Sequence, residues 1–139
     1  MTHWLRATPI AARCLLAMLV VEASVRGDLR TLACRMGVPL QLDGADNVYQ
    51  PGRVTVMTDT DLLALRVFRR LEAHWPTSTC LRRALVTGHL LRRRDPRLVI
   101  GVRKAPGGPF TAHAWLLLEG TALDEAALDY APLTQAIPS

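Results

Sequence analysis

Aromatic residues are scarce in this chain, with two Phe, two Tyr and three Trp among 139 residues. Binding to single-stranded nucleic acid leans on aromatic platforms for stacked bases, so such a role is poorly supplied. Cysteine is scarce too. Cys14, Cys34 and Cys80 cannot all pair within the chain, and no two of them have CxxC or other metal-ligand spacing. A disulfide framework and a structural metal are therefore not expected, and a reducing cytoplasm is the simpler setting. The apolar run Cys14 to Val21 is eight residues long, well short of the roughly 20 that span a bilayer. Arg6 and Arg13 before it and Ala23 and Ser24 after it imitate a signal peptide, but Glu22 and the short run favour a helix of the folded protein. A phosphate loop is missing as well: Ala105-Pro106-Gly107-Gly108-Pro109 has neither the lysine nor the strand-to-helix setting. Asp43, Gly44, Asp46 and Asn47 start like a calcium loop, yet the later ligands and the terminal Glu do not follow. No cofactor and no metal are expected, and neither repeats nor low-complexity segments occur.

What is present begins with a hydrophobic content of 50% and a net charge of +5. A chain of this length buries a real core and calls for one domain over 1–139. Within it, 1–57 reads as a helical and irregular N-terminal part and 58–139 as the compact core. The charge comes largely from arginine, in Arg69-Arg70, Arg82-Arg83, Arg92-Arg93-Arg94, Arg97 and Arg103-Lys104. Such side chains are ordinarily the solvated faces of helices. They also leave open a non-catalytic basic adaptor that binds a protein or, weakly, nucleic acid.

In chain order, a helix is expected from about Thr8-Pro9, buried through Ile10, Leu15, Leu16, Leu19 and Val20, with Cys14 and Met18 filling the core. Gly27-Asp28 breaks it. Leu29 to Met36 forms a second helix, stopped by Gly37 and Pro39, with Cys34 a structural thiol. Leu40 to Met57 is polar and glycine-rich, hence mostly loop, with a short strand near Val54 to Met57. Thr58-Asp59-Thr60-Asp61 caps a third helix that runs to about His74, buried through Leu63, Ala64, Val67, Phe68, Leu71 and Trp75, with Arg66, Arg69, Arg70 and Glu72 turned outward. Pro132 and Pro138 prevent a long C-terminal helix, so Leu128, Tyr130, Leu133 and Ile137 lie over the sheet in short pieces.

The chemistry concentrates between Pro76 and Glu125. Pro76-Thr77-Ser78-Thr79 offers hydroxyl caps, and Leu81, Ala84, Leu85, Gly88 and Leu91 continue as a helix face, which puts Cys80 in the first turn. Free N–H groups and the positive end of a helix dipole favour thiolate there, and Arg82 and Arg83 push the same way. Leu98 to Val102 and Phe110 to Leu118 read as strands, with His113, Trp115 and Leu117 on one face. Trp115 would wall the site or anchor the sheet. Glu119-Gly120 makes the next turn. A three-residue loop with a bulge pairs His113 with Glu125, whereas a two-residue loop puts Asp124 on the histidine's face. Alone, each of Cys80 and His113 is more often structural; together with a carboxylate they supply nucleophile, base and orienter. Among the other histidines, His89 lies nine residues along the same helix, about 13 Å of rise, too far to touch Cys80. His74 is a weaker candidate, and His3 lies near the chain end.

These residues carry a resemblance. Cys80-Leu81-Arg82-Arg83-Ala84-Leu85, Leu98-Val99-Ile100-Gly101-Val102-Arg103, Pro109-Phe110-Thr111-Ala112-His113-Ala114-Trp115 and Gly120 with Asp124-Glu125 resemble the stand-alone leader peptidases of lasso-peptide biosynthesis, which are transglutaminase-like cysteine proteases. The resemblance covers the C-terminal third to half of the chain. It implies an α+β fold: a transglutaminase/papain-like core with the cysteine at a helix N-terminus packed on a small antiparallel sheet, plus a helical N-terminal part. It also implies a Cys80, His113, Glu125 triad with Asp124 as the alternative, and a Cys-His-Glu/Asp peptidase that removes the leader from a ribosomally made precursor. The implied partners are the precursor's leader region, a separate leader-recognition protein and an ATP-dependent macrolactam cyclase. Trp4, Leu5, Leu40 and Leu42 are the expected docking surface. A transglutaminase-like acyl transferase is the competing chemistry, since the same acyl-enzyme can pass to an amine instead of water.

Overall fold

Three helix starts are set by side chains that accept the first free backbone N–H groups. The computed structural model describes residues 2–41 and 57–133, without the side chains of 2–6 and 125. Asp28 caps α2 (Leu29–Met36) by accepting from Thr31 N at 3.0 Å. Thr58 caps α3 (Asp59–Glu72) in a capping box, its hydroxyl accepting from Asp61 N and Asp61 Oδ2 accepting from Thr58 N, both at 3.1 Å. Thr79 caps α4 (Cys80–Leu90), accepting from Arg82 N at 3.3 Å. Each such cap typically contributes ~1 kcal/mol. At the far end, α2 stops where Gly37 turns left-handed at φ 78°.

α1 (Thr2–Ser24) departs from its expected form in two ways. It starts more than a turn before Thr8 and carries Pro9 inside, a residue with no N–H to give the helix ladder. Its inner face also differs. Cys14 is buried as expected, but Ala17 and Val21 join it, while Leu15, Leu16 and Leu19 are 48%, 63% and 67% exposed. Apolar residues cover most of the helix circumference, so spacing alone does not choose its inner side; packing against α3 and α4 selects the smaller residues, which allow close approach. By length and mean hydropathy, 1.5 over Ala7–Ser24, α1 is long and apolar enough to cross a bilayer, which the eight-residue run did not anticipate. In the fold its inner side is core.

The sheet has the order β3-β2-β1-β4, from β1 (Arg97–Lys104), β2 (Phe110–Leu118), β3 (Thr121–Ala122) and β4 (Ala131–Pro132). Every pairing between these strands is antiparallel, and a parallel bridge joins Leu40 to Leu98. The class is α+β, as expected. Strand alternation splits β2: Ala114 and Leu116 join the main core with Leu85 and Val86 of α4, while Trp115 and Leu117 pack with Val99, Ala122 and Ala127. Gly88 lets α4 come close. A Cβ there would lie 2.6 Å from Val38 Cγ2 and 3.1 Å from Leu116 Cδ2. A fully buried leucine such as Leu85 contributes about 1.5–3 kcal/mol over an exposed one.

Other expectations need correcting. Cys34 is exposed on α2 instead of being a buried structural thiol, whereas Cys14 fills the core as expected. Glu72 turns inward instead of outward, drawn by Ser78 in the turn before α4 and Arg83 on it. Leu40 is half-buried against the core. Trp4, Leu5, Leu42, His3, Ile137, the Asp43–Asn47 stretch and Val54 fall outside the described side chains, and Met57 is not in a strand. Leu128 is exposed, but Tyr130 packs on the Trp115 cluster and β4 pairs with β1.

His89 ties two helices together, with Nδ1 2.9 Å from the carbonyl oxygen of Met36. The carbonyl only accepts, so the ring donates. Burial holds this imidazole below its ordinary 6.5, with Arg92 and Arg13 pushing the same way against the Met36 bond. The unfolded chain therefore takes up the proton first. The contribution is complete above 6.5 and is lost as pH falls below it towards the depressed folded value. Urea midpoints are expected to drop between pH 7.5 and 5.5, and a His89→Gln variant to show a flatter profile over the same window.

Candidate active site

Cys80 is the first residue of α4, and the turn before it is built to stay put. Ser78 N donates to Trp75 O at 3.1 Å and Thr79 caps the helix. Two carboxylates from other helices then grip this turn. Glu22 of α1 accepts from Trp75 Nε1 at 3.2 Å, Thr77 Oγ1 at 2.9 Å, Arg82 Nε at 3.0 Å and Arg82 Nη2 at 3.3 Å. Glu72 of α3 accepts from Ser78 Oγ at 2.8 Å and from Arg83 Nε. The thiol itself is half-buried, in the turn where helix N–H groups have no intrahelical partner.

His113 stands on β2 opposite Gly101 of β1. The hairpin that follows is the two-residue one. Glu119 and Gly120 both take positive φ, 53° and 77°, and Leu118 pairs with Thr121. The bulged three-residue loop that would set Glu125 opposite His113 does not form. In the observed register Asp124 reaches the ring: His113 Nε2 lies 2.6 Å from Asp124 Oδ2. Its other oxygen, Oδ1, accepts from Ala126 N at 2.9 Å and caps the short 3-10 helix Glu125–Asp129. A carboxylate anchored at both oxygens holds the imidazole in one orientation. Glu125 opens that 3-10 helix, and its side chain lies outside the described residues. Because a carboxylate only accepts, Nε2 carries the hydrogen and Nδ1 is the nitrogen left for other work.

The imidazole is enclosed by aromatic rings, its centroid 6.1 Å from that of Trp115 and 5.1 Å from that of Tyr130. Trp115 fills both roles expected of it, as a fully buried member of its cluster and as part of the cavity wall. Its indole N–H is buried without a hydrogen-bond partner among the described residues.

Cys80, His113 and Asp124 all line one cavity of about 490 Å³ between α3, α4 and β2. Leu65, Phe68, Ala84 and Leu123 give it an apolar wall, and Glu72, Arg83 and Thr87 add polar groups. His113 projects on the Trp115 side of β2 while Cys80 packs against the α4 side, so the two reach the cavity from different walls. No hydrogen bond joins them among the described residues. Catalytic hydrogen bonds in ligand-free enzymes are often long and tighten with substrate. His74 is exposed beyond the end of α3, and His89 is held at the other end of α4; neither lines the cavity. Among the described residues no group of three or more His, Cys, Asp or Glu could hold a metal ion.

Glu22 and Glu72 were not legible as site residues. They lie 58 and eight positions before Cys80, in helices whose motifs carry no sign of it. Only the packing of α1 and α3 beside α4 brings their carboxylates to this turn.

Residues 30–137 match the family model described as transglutaminase-like superfamily. No curated protein and no solved structure matches the chain.

Proposed function

The chain belongs to the transglutaminase-like superfamily, and from that premise we propose that it is a cysteine peptidase that removes the leader from a ribosomally made lasso-peptide precursor. The superfamily typically carries cysteine-protease or acyl-transfer chemistry on a Cys-His-Asp set. The observation that carries the peptidase reading is the His113–Asp124 pair at 2.6 Å, opening onto the same cavity as a cysteine at a helix start.

In the proposed reaction, Cys80 thiolate attacks the carbonyl carbon of the scissile peptide bond. The carbonyl electron pair moves to oxygen, where the backbone N–H of Cys80 donates to the oxyanion. The tetrahedral intermediate collapses, the C–N bond breaks, and His113 Nδ1 gives its proton to the leaving amine. That amine is the N-terminus of the core peptide. Water then attacks the thioester carbonyl while His113 Nδ1 accepts a proton from it. The products are the leader's carboxylate and the free thiolate, facing protonated His113 again. Asp124 faces the imidazolium and stabilises it throughout.

The proposal includes a separate leader-recognition protein that presents the precursor, a downstream ATP-dependent cyclase that consumes the freed amine, and action in the cytoplasm. Pairing of Arg82, Arg83, Arg94 and Arg97 with acidic side chains supports a structural use of those arginines over nucleic-acid binding.

The test is incubation of the protein with a candidate precursor and recognition protein, followed by intact mass measurement. Hydrolysis gives two fragments whose masses sum to the precursor plus one water. A fragment carrying an added amine in place of water would make the protein a transferase, and an uncut precursor in the complete mixture would count against the proposal.

A further inference from the structure

α1 ends at Ser24, before the first residue of the family match at 30. The matched domain alone therefore lacks Glu22. Yet that carboxylate makes four hydrogen bonds to the segment around the proposed nucleophile, and its donors come from Trp75, Thr77 and Arg82. Those residues bracket Cys80 on both sides, two before the cap and one within the first turn. Glu72 holds Ser78 and Arg83 from the opposite flank. The turn is thus clamped between α1 and α3, and the α1 half of the clamp is one side chain.

The chemistry of the clamp is specific to a carboxylate. All four hydrogens point at Glu22, and an ionised carboxylate offers acceptor sites for all of them. A glutamine of the same length offers one oxygen and confronts the remaining donors with an N–H₂ group. Hydrogen bonds from Thr77 and then Arg82 hold the Glu22 carboxyl below its ordinary 4.5, so it is ionised at neutral pH. The side chain is 41% exposed, so its solvent-screened charge adds little stability. What it adds is direction: Arg82, held by Glu22 at both Nε and Nη2, sits two residues after Cys80 on the first turn of α4.

We propose that Glu22 is a positioning residue for Cys80, which makes the N-terminal helix outside the matched domain a working part of the active site. Glu22 touches no reacting atom. It acts by fixing where the start of α4 delivers the thiol relative to the His113–Asp124 pair across the cavity.

This rests on the peptidase reading, and Glu22→Gln in the full-length protein tests it. Cleavage and alkylation of Cys80 by iodoacetamide are measured well below the thermal midpoint, with the exposed Cys34 replaced by Ser. A thiol misplaced by a fraction of an ångström is expected to lower kcat by about 10- to 100-fold, to slow alkylation in parallel, and to leave KM little changed. Glu22→Asp, which keeps the acceptors, should recover part of the rate. Arg82→Gln should give the same defect, and the double variant should be no slower than either single one. If Glu22→Gln fails to fold, Arg82→Gln supplies the same comparison. Wild-type kcat in the folded variants, or a loss that only follows the folded fraction, would overturn the inference. That outcome with Cys80→Ala inactive would leave the peptidase reading standing, whereas an active Cys80→Ala would sink the reading itself.

Discussion

Asp124→Asn is expected to lower kcat by about 10²–10⁴-fold, the range that a positioned acid–base group supplies, while Glu125→Gln leaves it little changed. The expectation follows from what surrounds the carboxylate. Oδ2 lies 2.6 Å from His113 Nε2 and Oδ1 lies 2.9 Å from Ala126 N. Both partners donate, and an asparagine has one oxygen. If the amide keeps its oxygen on Ala126 N, its N–H₂ faces Nε2 and makes that nitrogen the acceptor, which moves the hydrogen to Nδ1 and removes the base; if the amide turns over, the 3-10 helix loses its cap. The cap contribution is about 1 kcal/mol, which a modest fall in thermal midpoint would report. The rate effect should be far larger than that midpoint shift explains. An unchanged rate for Asp124→Asn combined with a large loss for Glu125→Gln would return the orienting role to the neighbouring residue.

Cys80→Ala is expected to abolish turnover, a fall of at least about 10⁵-fold when a covalent nucleophile is removed. The two remaining thiols cannot substitute. Cys14 is fully buried and burial pushes its thiol up, while Cys34 is exposed on α2, away from the cavity. Cys34→Ser should therefore leave the rate alone, and a Cys80→Ala, His113→Ala pair should be no slower than Cys80→Ala by itself. Residues that act as one unit give this non-additive result. A double variant much slower than both singles would mean that the two act separately.

The parts of this molecule that were legible in the sequence are those decided locally. Thr58 and Thr79 cap the helices they precede, Gly37 stops α2, and the alternation along β2 places His113 with Trp115 because strand geometry has a period of two. What was not legible depended on contacts distant in the chain. α1 carries apolar residues around most of its circumference, so the choice of Ala17 and Val21 over Leu15, Leu16 and Leu19 belongs to α3 and α4. Which carboxylate meets the His113 ring turned on a loop one residue longer or shorter, and with Glu119 at φ 53° beside Gly120 it is Asp124 that lies 2.6 Å from the ring. The grip of Glu22 on the turn before Cys80 spans more than fifty residues and has no local motif at all.

The most direct measurement of the account is the rate at which iodoacetamide alkylates Cys80 at pH 7 in the Cys34→Ser background, with His113 present and with His113→Ala. A base working on this thiol predicts a fall of roughly tenfold or more when the imidazole is removed. Equal rates in two folded proteins would show that residues 80 and 113 share a cavity without sharing a proton, and would contradict the account.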